Sequence, residues 1–373
     1  MIVAGEASGD IYGANLVLSL KKLAPDIIFS GIGGPEMEKA GVNILYQASE
    51  MAVVGITEII PKMRYIFRAL RRLKSVLKII PPDLLILIDY PGFNLNLAFK
   101  ARSLGIPVLY YIPPQVWAWR KRRIKKISKR TNRIAVILPF EEEFYRKYGT
   151  VEYVGHPLQD IASPKRDNNE IKESLGISSK SGPILGLLPG SRTQEIARHL
   201  PAMIGAAEII SGHYPDLCCV LPLASTINES IVLPYLKNAA VNIAVGKSDT
   251  KELLKIADLA LIASGTATLE AAIMGTPMII VYKVSPLSYL LARLLVKVSH
   301  IGLVNLVAGR TVVPELIQGE ATAPRLAEEG LALLENQKLM MDMKKNLRSV
   351  KEQLGRGGAS MRTAAIAGEM MGL

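Results

Sequence analysis

Leu84-Leu85-Ile86-Leu87-Ile88-Asp89-Tyr90-Pro91-Gly92-Phe93-Asn94 begins as an unbroken apolar run and ends in an acid and a Pro-Gly turn. A run of about five residues with no polar alternation reads as a strand buried on both faces, the kind found in parallel sheets covered by helices. Comparable runs lie outward from it at Ile2–Ala4, Ile27–Ser30, Val108–Ile112 and Ile134–Leu138, with helical stretches between them. A polar stretch, Ser163–Gly182, reads as a linker with a short helix. The pattern then restarts at Ile184–Leu188, Leu217–Leu221, Ile243–Val245, Leu259–Ile262 and Met278–Val281. Strand and helix alternating in this way predict α/β architecture: two Rossmann-like domains facing a cleft, residues 1–162 and 163–355.

The length of 373 residues agrees with two domains at about 100–200 residues each. Hydrophobic residues at 49% and charged residues at 21% exclude a disordered or collagen-like chain. Net charge is +12, yet mean hydropathy is +0.25, so the chain is both basic and greasy. No stretch offers roughly 18 uninterrupted apolar residues; the best candidate, Leu287–Leu306, is broken by Arg293, Lys297 and His300. Met1–Glu6 has no basic region before its short apolar run, unlike a secretory signal. Cys218 and Cys219 are neighbours in an apolar run and read as core packing in a reducing cytoplasm.

The charge is uneven. Residues 1–160 carry 23 basic and 14 acidic side chains, and between Lys62 and Arg133 there are 18 basic residues against only Asp83 and Asp89. Such a one-sided field implies an anionic partner: a nucleic acid, a phosphorylated substrate or an anionic membrane surface. Lys62–Ile80 spaces its apolar residues as an amphipathic helix, with Arg64, Arg68, Arg71, Arg72, Lys74 and Lys78 between them. Ile59, Ile60, Met63, Ile66 and Phe67 exceed what one packing stripe needs and are expected to face a membrane. Trp117 and Trp119 begin a second basic stretch that runs to Arg133, suited to a headgroup interface, to base stacking or simply to solvent.

Two turns suit phosphate. Strand Ile184–Leu188 ends in Pro189-Gly190-Ser191-Arg192-Thr193-Gln194-Glu195, where Gly190 permits a tight turn and Ser191 with Gln194 has capping-box spacing. Arg192 then stands at a helix N-terminus, already favourable to an anion. Strand Leu259–Ile262 leads into Ala263-Ser264-Gly265-Thr266-Ala267-Thr268-Leu269-Glu270, whose N–H groups at Gly265–Ala267 can cradle a pyrophosphate. Glu270 either binds a ribose diol or compensates the helix dipole. Neither turn is a Walker A loop, and no Gly-x-Gly-x-x-Gly follows the first strand, which argues against a P-loop NTPase or an ordinary NAD enzyme. At the strand ends of the first half stand Glu6, Ser8, Asp10, Asp89 and Asn94. One of these carboxylates is expected to be a general base and the others caps, Asp10 above all.

Together these stretches resemble a known family. Gly5–Asp10, Asp89–Asn94, Pro114-Gln115-Val116-Trp117-Ala118-Trp119, Leu188–Arg192, Ser264–Glu270 and Asn305-Leu306-Val307-Ala308-Gly309-Arg310 look, in order and over the whole chain, like the bacterial lipid-A-disaccharide synthases. The resemblance implies a glycosyltransferase B fold, with a C-terminal helix at about 356–373 crossing back to the first domain. It also implies an inverting, metal-independent transfer without cofactor, from UDP-2,3-diacylglucosamine to the 6-hydroxyl of 2,3-diacylglucosamine 1-phosphate. By position Asp89 matches the family's base and Arg192 its leaving-group cation. Gly190, Ser191, Ser264–Thr268, Glu270, Asn305 and Arg310 match the UDP side, with Glu315 and Gln318 continuing the last motif. Glu6, Ser8, Asp10, Asn94, Gln115 and Trp117 fall on the acceptor side, although Gln115 stands where relatives often carry Ser. The implied setting is cytoplasmic, peripheral to an anionic inner membrane in a Gram-negative cell, with no nucleic acid and with room for a homodimer. Rival readings are another UDP-sugar enzyme of this fold, such as a lipid-linked N-acetylglucosaminyltransferase or a UDP-sugar 2-epimerase, and, more remotely, a basic nucleic-acid-binding module.

Overall fold

The computed structural model describes residues 1–51, 59–115, 122–161, 164, 166–178, 182–224, 227–246, 249–286, 289–290 and 299–373, the side chains of 59–62 and 122 excepted. It divides into two compact units, Met1–Ile161 with Leu354–Leu373, and Ala162–Gln353.

The first unit holds a seven-stranded parallel sheet made of β1 (Ile2–Ala4), β2 (Phe29–Gly33), β3 (Val42–Gln47), β4 (Leu85–Ile88), β5 (Val108–Tyr111), β6 (Arg133–Val136) and β7 (Val151–Tyr153). Their order is β3-β2-β1-β4-β5-β6-β7. All four residues of β4 and of β5 are buried, as strands covered on both faces require. The order reverses between β1 and β4, which makes the carboxyl ends of those two strands the place where this topology binds ligands.

Helices α1 (Ala7–Leu23), α2 (Pro35–Lys39), α3 (Ala48–Met51), α4 (Ile59–Ile79), α5 (Pro91–Ser103), α6 (Arg122–Ser128) and α7 (Glu141–Arg146) connect the strands. On α4 the residues Ala69, Leu73 and Leu77 repeat every four positions and are fully buried. Each of these leucines contributes roughly 2 kcal/mol by leaving water. Ile66 continues that stripe and packs on the core, which corrects its expected place in the outward patch.

The second unit repeats the plan with β8 (Ile184–Leu188), β9 (Cys218–Pro222), β10 (Ile243–Gly246), β11 (Leu259–Ala263), β12 (Met278–Tyr282) and β13 (Glu315–Ile317) in the order β10-β9-β8-β11-β12-β13. Here the reversal lies between β8 and β11. Its helices include α8 (Asn168–Ser174), α9 (Thr193–His213), α10 (Leu233–Leu236), α11 (Thr250–Ile256), α12 (Ala267–Met274), α13 (Leu303–Ala308), α14 (Ala323–Glu335) and α15 (Gln337–Gln353). Cys219 is buried on β9, and burial first, then the neighbouring Cys218, pushes its thiol up to about 12.

The last helix, α16 (Ala359–Met371), belongs to the first unit and packs along α1. Asp160 fixes its start, its carboxylate accepting the N–H groups of Ala359 (3.0 Å) and Ser360 (2.7 Å). Three strands were not anticipated: β3, β7 and β13 all lie at sheet edges, where partial exposure breaks up the apolar run. The strand expected at Ile27–Ser30 begins at Phe29 instead, because Ile28 stands 90% exposed and the strand continues through Gly31 and Gly33. Among the described residues no helix is long and apolar enough to cross a membrane.

Candidate active site

In the first unit the ends of β1 and β4 meet through Gly5 and Tyr90. A Cβ on Gly5 would stand 2.4 Å from the Tyr90 ring, so only glycine lets that ring lie against the end of β1. Asp89 and Tyr90 both take left-handed backbone angles, with φ of 45° and 47°. Such angles cost L-residues about 1 kcal/mol or more each and need surroundings that enforce them. The Asp89 N–H donates to Ile112 O (3.1 Å), itself at a left-handed residue. The Asp89 carbonyl accepts two side chains at 2.7 Å, the Tyr110 hydroxyl and the Asn94 amide.

This turn sets the Asp89 carboxyl in a desolvated place. Burial, and next to it the nearby Glu6 carboxylate, push its pKa up to about 6, against a downward pull from the Tyr90 N–H. A carboxylate with that value is suited to accept a proton near neutrality. Glu6, just before α1, and Ser8, in its first turn, are exposed, as is Gln115 beyond β5. Asn94 is fully buried, its amide also donating to Ile88 O (3.1 Å). Asp10 is buried and acts as a cap: it accepts the N–H groups of Gly34 (2.7 Å), Glu36 (3.0 Å) and Met37 (3.0 Å) at the start of α2. Trp117 and Trp119 lie outside the described residues, as do the side chains of Ile59 and Ile60.

In the second unit β8 turns at Gly190, whose φ of +120° calls for glycine, and where a Cβ would also crowd the Glu195 side chain, at 2.7 Å from its Cβ. The expected pairing of Ser191 with Gln194 is replaced by one with Glu195. That carboxylate accepts the Ser191 N–H (2.9 Å) and pairs with the exposed Arg192 (3.3 Å) at the start of α9. A longer reach from one position further along the helix serves the same orphan N–H.

His199, buried on α9, was not anticipated. Its Nδ1 meets Pro189 O (2.8 Å) and its Nε2 accepts the Lys283 N–H (3.0 Å). The ring therefore carries its proton on Nδ1 and ties the end of β8 to the end of β12.

At the end of β11, Ser264 donates to Ile301 O (3.0 Å) and Thr268 to Gly265 O (2.8 Å). These bonds shape a turn in which a Cβ on Gly265 would meet nothing within 4 Å. The N–H groups of Gly265, Thr266 and Ala267 take no backbone partner among the described residues. Half-buried Glu270 lies one turn into α12; burial raises its pKa, with Lys251 opposing and Asp249 adding to the shift.

The last motif is a brace. Asn305 is fully buried, donating to Val313 O (2.9 Å) and Glu315 Oε1 (2.8 Å) and accepting from Val312 (2.7 Å) and Val313 (3.1 Å). Its carboxamide keeps no polar atom for a ligand. Glu315 in turn holds the N–H groups of Ile301 (2.9 Å) and Gly302 (3.0 Å), and Gln318 brackets Val284. Arg310 donates to Asn346 on α15 (2.8 Å). Among the described residues no group of three His, Cys, Asp or Glu side chains could hold a metal ion.

A family model described as lipid-A-disaccharide synthetase matches residues 1–368. The chain belongs to the lipid-A-disaccharide synthase family. A relative with that name from Geobacter metallireducens is 46% identical over 373 residues, covering 100% of this chain and 97% of the relative. Among solved structures, UDP-GlcNAc 2-epimerase from Neisseria meningitidis bound to UDP-GlcNAc superposes with a TM-score of 0.67 at 15% identity, covering 99% of each chain. The calicheamicin glycosyltransferase CalG4 does so with a TM-score of 0.61 at 14% identity, covering 100% of this chain and 96% of that one. The glycosyltransferase B fold and the synthase family expected from six motifs are thus borne out.

Proposed function

We propose that this enzyme moves 2,3-diacylglucosamine from UDP-2,3-diacylglucosamine to the 6-hydroxyl of 2,3-diacylglucosamine 1-phosphate, releasing UDP and forming a β-1,6 disaccharide with inversion. The observation that carries the mechanism is the Asp89 carboxyl, held at the topological switch point with its pKa raised to about 6. The acceptor hydroxyl gives its proton to the Asp89 carboxylate as its oxygen bonds to the anomeric carbon. The bond from that carbon to the diphosphate breaks, and its electron pair leaves with UDP. Negative charge growing on the diphosphate is met by Arg192 and by the N–H groups at the start of α12, which stand ready before the charge develops. Gly190, Ser191 and Ser264–Thr268 form the surrounding turns, and Glu270 takes the ribose diol. Asn305, with Glu315, acts by holding the loop after β12 and not by touching UDP. Glu6 and Ser8 face the acceptor, while Asp10 and Asn94 support the turns beneath it. No metal or cofactor takes part in this scheme.

The test is direct. Purified enzyme with both lipid substrates should yield the β-1,6 disaccharide in the presence of EDTA, and Asp89→Asn should lower kcat about 10²- to 10⁴-fold. Near-normal turnover by that variant would sink the role given to Asp89, and an epimerised UDP-sugar as the product would favour the rival enzyme.

The lipid substrates also suggest a place for the enzyme, at the cytoplasmic face of the inner membrane. Support comes from α4, where Met63 and Phe67 are 39% and 55% exposed. Arg64, Arg68, Arg71, Arg72, Lys74 and Lys78 form no ion pair with any described residue. In the second basic stretch two of the described cations are engaged, Arg130 donating to Leu95 O (2.8 Å) and Arg133 pairing with Glu152 (3.2 Å) and Glu369 (2.7 Å). Binding to anionic vesicles should weaken with salt and yet persist through the unscreened apolar side chains. Equal binding to RNA and to vesicles would speak instead for a general polyanion surface. Whether the enzyme works as a homodimer is decided by its mass in solution.

A further inference from the structure

Beneath the Asp89 turn lies a group with no role so far. Tyr110 is fully buried on β5, the strand next to β4, and burial holds its hydroxyl pKa far above the usual range, so it stays a donor. Its hydroxyl donates to the backbone carbonyl of Asp89 at 2.7 Å and also lies within hydrogen-bond reach of the Asn94 side chain. That carbonyl belongs to the peptide joining two consecutive left-handed non-glycine residues. A carbonyl there is free to rotate back unless donors hold it, and two do, Tyr110 from below and Asn94 from α5. The Asp89 N–H is fixed from the far side by Ile112 O (3.1 Å). This pinned peptide fixes the direction in which the Asp89 side chain leaves the backbone.

We infer that Tyr110 is a positioning residue for the transfer reaction: through the Asp89 carbonyl, its hydroxyl holds the strained Asp89–Tyr90 turn that aims the carboxylate at the acceptor hydroxyl. The inference rests on Asp89 being the base. Misaiming a base by about an ångström removes much of its effect without altering what the substrates bind. Loosening the turn also lets the carboxyl reach water, which lowers its pKa by reducing the desolvation that raises it.

The experiment uses Tyr110→Phe, which deletes only the oxygen. The control is Tyr111→Phe on the same strand, whose hydroxyl is directed to the other face of the sheet, toward Ser360 and Thr363. For Tyr110→Phe, kcat should fall about 10- to 100-fold while KM for both substrates stays within about twofold. The acid limb of the pH–rate profile, expected near pH 6 in the parent from the raised Asp89 pKa, should move to lower pH by about half a unit or more. UDP affinity, a property of the other unit, checks the fold and should not change. Tyr111→Phe should keep kcat within about twofold.

A Tyr110→Phe enzyme with parental kcat and an unmoved acid limb overturns the inference. So does a loss of kcat that comes with lost UDP affinity, or with an acid limb that stays in place, since a general structural defect would do that. If Asp89→Asn is inactive while Tyr110→Phe is normal, this inference alone fails. If Asp89→Asn turns over normally, the reading of Asp89 as base fails first and the inference with it.

Discussion

The β4–α5 turn of the first unit and the β8–α9 and β11–α12 turns of the second occupy equivalent places at the reversals of two parallel sheets, yet they are built in opposite ways. Around Asp89 the left-handed positions carry side chains, and hydrogen bonds from Tyr110, Asn94 and Ile112 enforce them. At Gly190 the unusual backbone angle is given to glycine, and at Gly265 the space over the turn is left open. The first arrangement fixes a buried acid with a raised pKa; the second has backbone N–H groups without a backbone partner among the described residues and an exposed guanidinium paired with Glu195. On the proposed reading, the same scaffold serves a proton acceptor in one half and an anion cradle in the other. A site that must hold a reactive side chain accepts strain, whereas a site that must admit a phosphate removes side chains.

The comparison can be broken most severely at the two charges. Arg192→Ala should lower kcat about 10²- to 10³-fold, the scale set by removing one preorganised group facing a developing charge, while acceptor binding is unchanged. Asp89→Asn should lose activity on a similar or larger scale and gain stability. Its carboxyl has a folded pKa raised to about 6 from 3.8, so the folded state binds more protons than the unfolded one between those values. Stability therefore falls as pH rises through that window, and the ionised group is destabilising above it. Removing the group should raise stability at pH 7.5 by about 1–3 kcal/mol, read from denaturant midpoints. A less stable Asp89→Asn enzyme would contradict the strained, desolvated picture of the turn.

The smallest expected effect sharpens the comparison further. Glu6→Gln removes the neighbouring charge that helps raise the Asp89 pKa, so the acid limb of the pH–rate profile should shift below about 6 by less than one unit. An upward shift, or none, would mean that Glu6 does not sense Asp89.

Much of this was legible in the chain itself. Strands such as β4, β5, β8 and β11 are buried throughout, and an unbroken apolar run announces them. Of the four edge strands only β10 carries such a signal: Val42–Gln47, for one, mixes Asn43 and Gln47 with its apolar residues because one side meets solvent. The glycine turns and Asp89 were visible as residues, and the resemblance supplied their roles. Tyr110 and His199 were not visible, since each works through a backbone carbonyl distant in sequence. A tyrosine inside a fully apolar strand was the only hint at the first. Nothing marked the second except a histidine on the inner face of a helix. Asn305 shows the reverse case, a polar residue in a functional motif whose every bond turns out to be internal.

The cap that Asp160 places on α16 has a consequence for biosynthesis. The second unit is continuous in the chain, while the first is completed by a helix that follows it. On the ribosome, where units fold as they emerge, the second unit is fully synthesised before the last helix of the first exists. The flank of α1 that α16 covers stays open during that interval. When the segment emerges, three N–H groups at its start, of Gly358, Ala359 and Ser360, find the waiting carboxylate. The first unit, whose synthesis begins first, is thereby completed last.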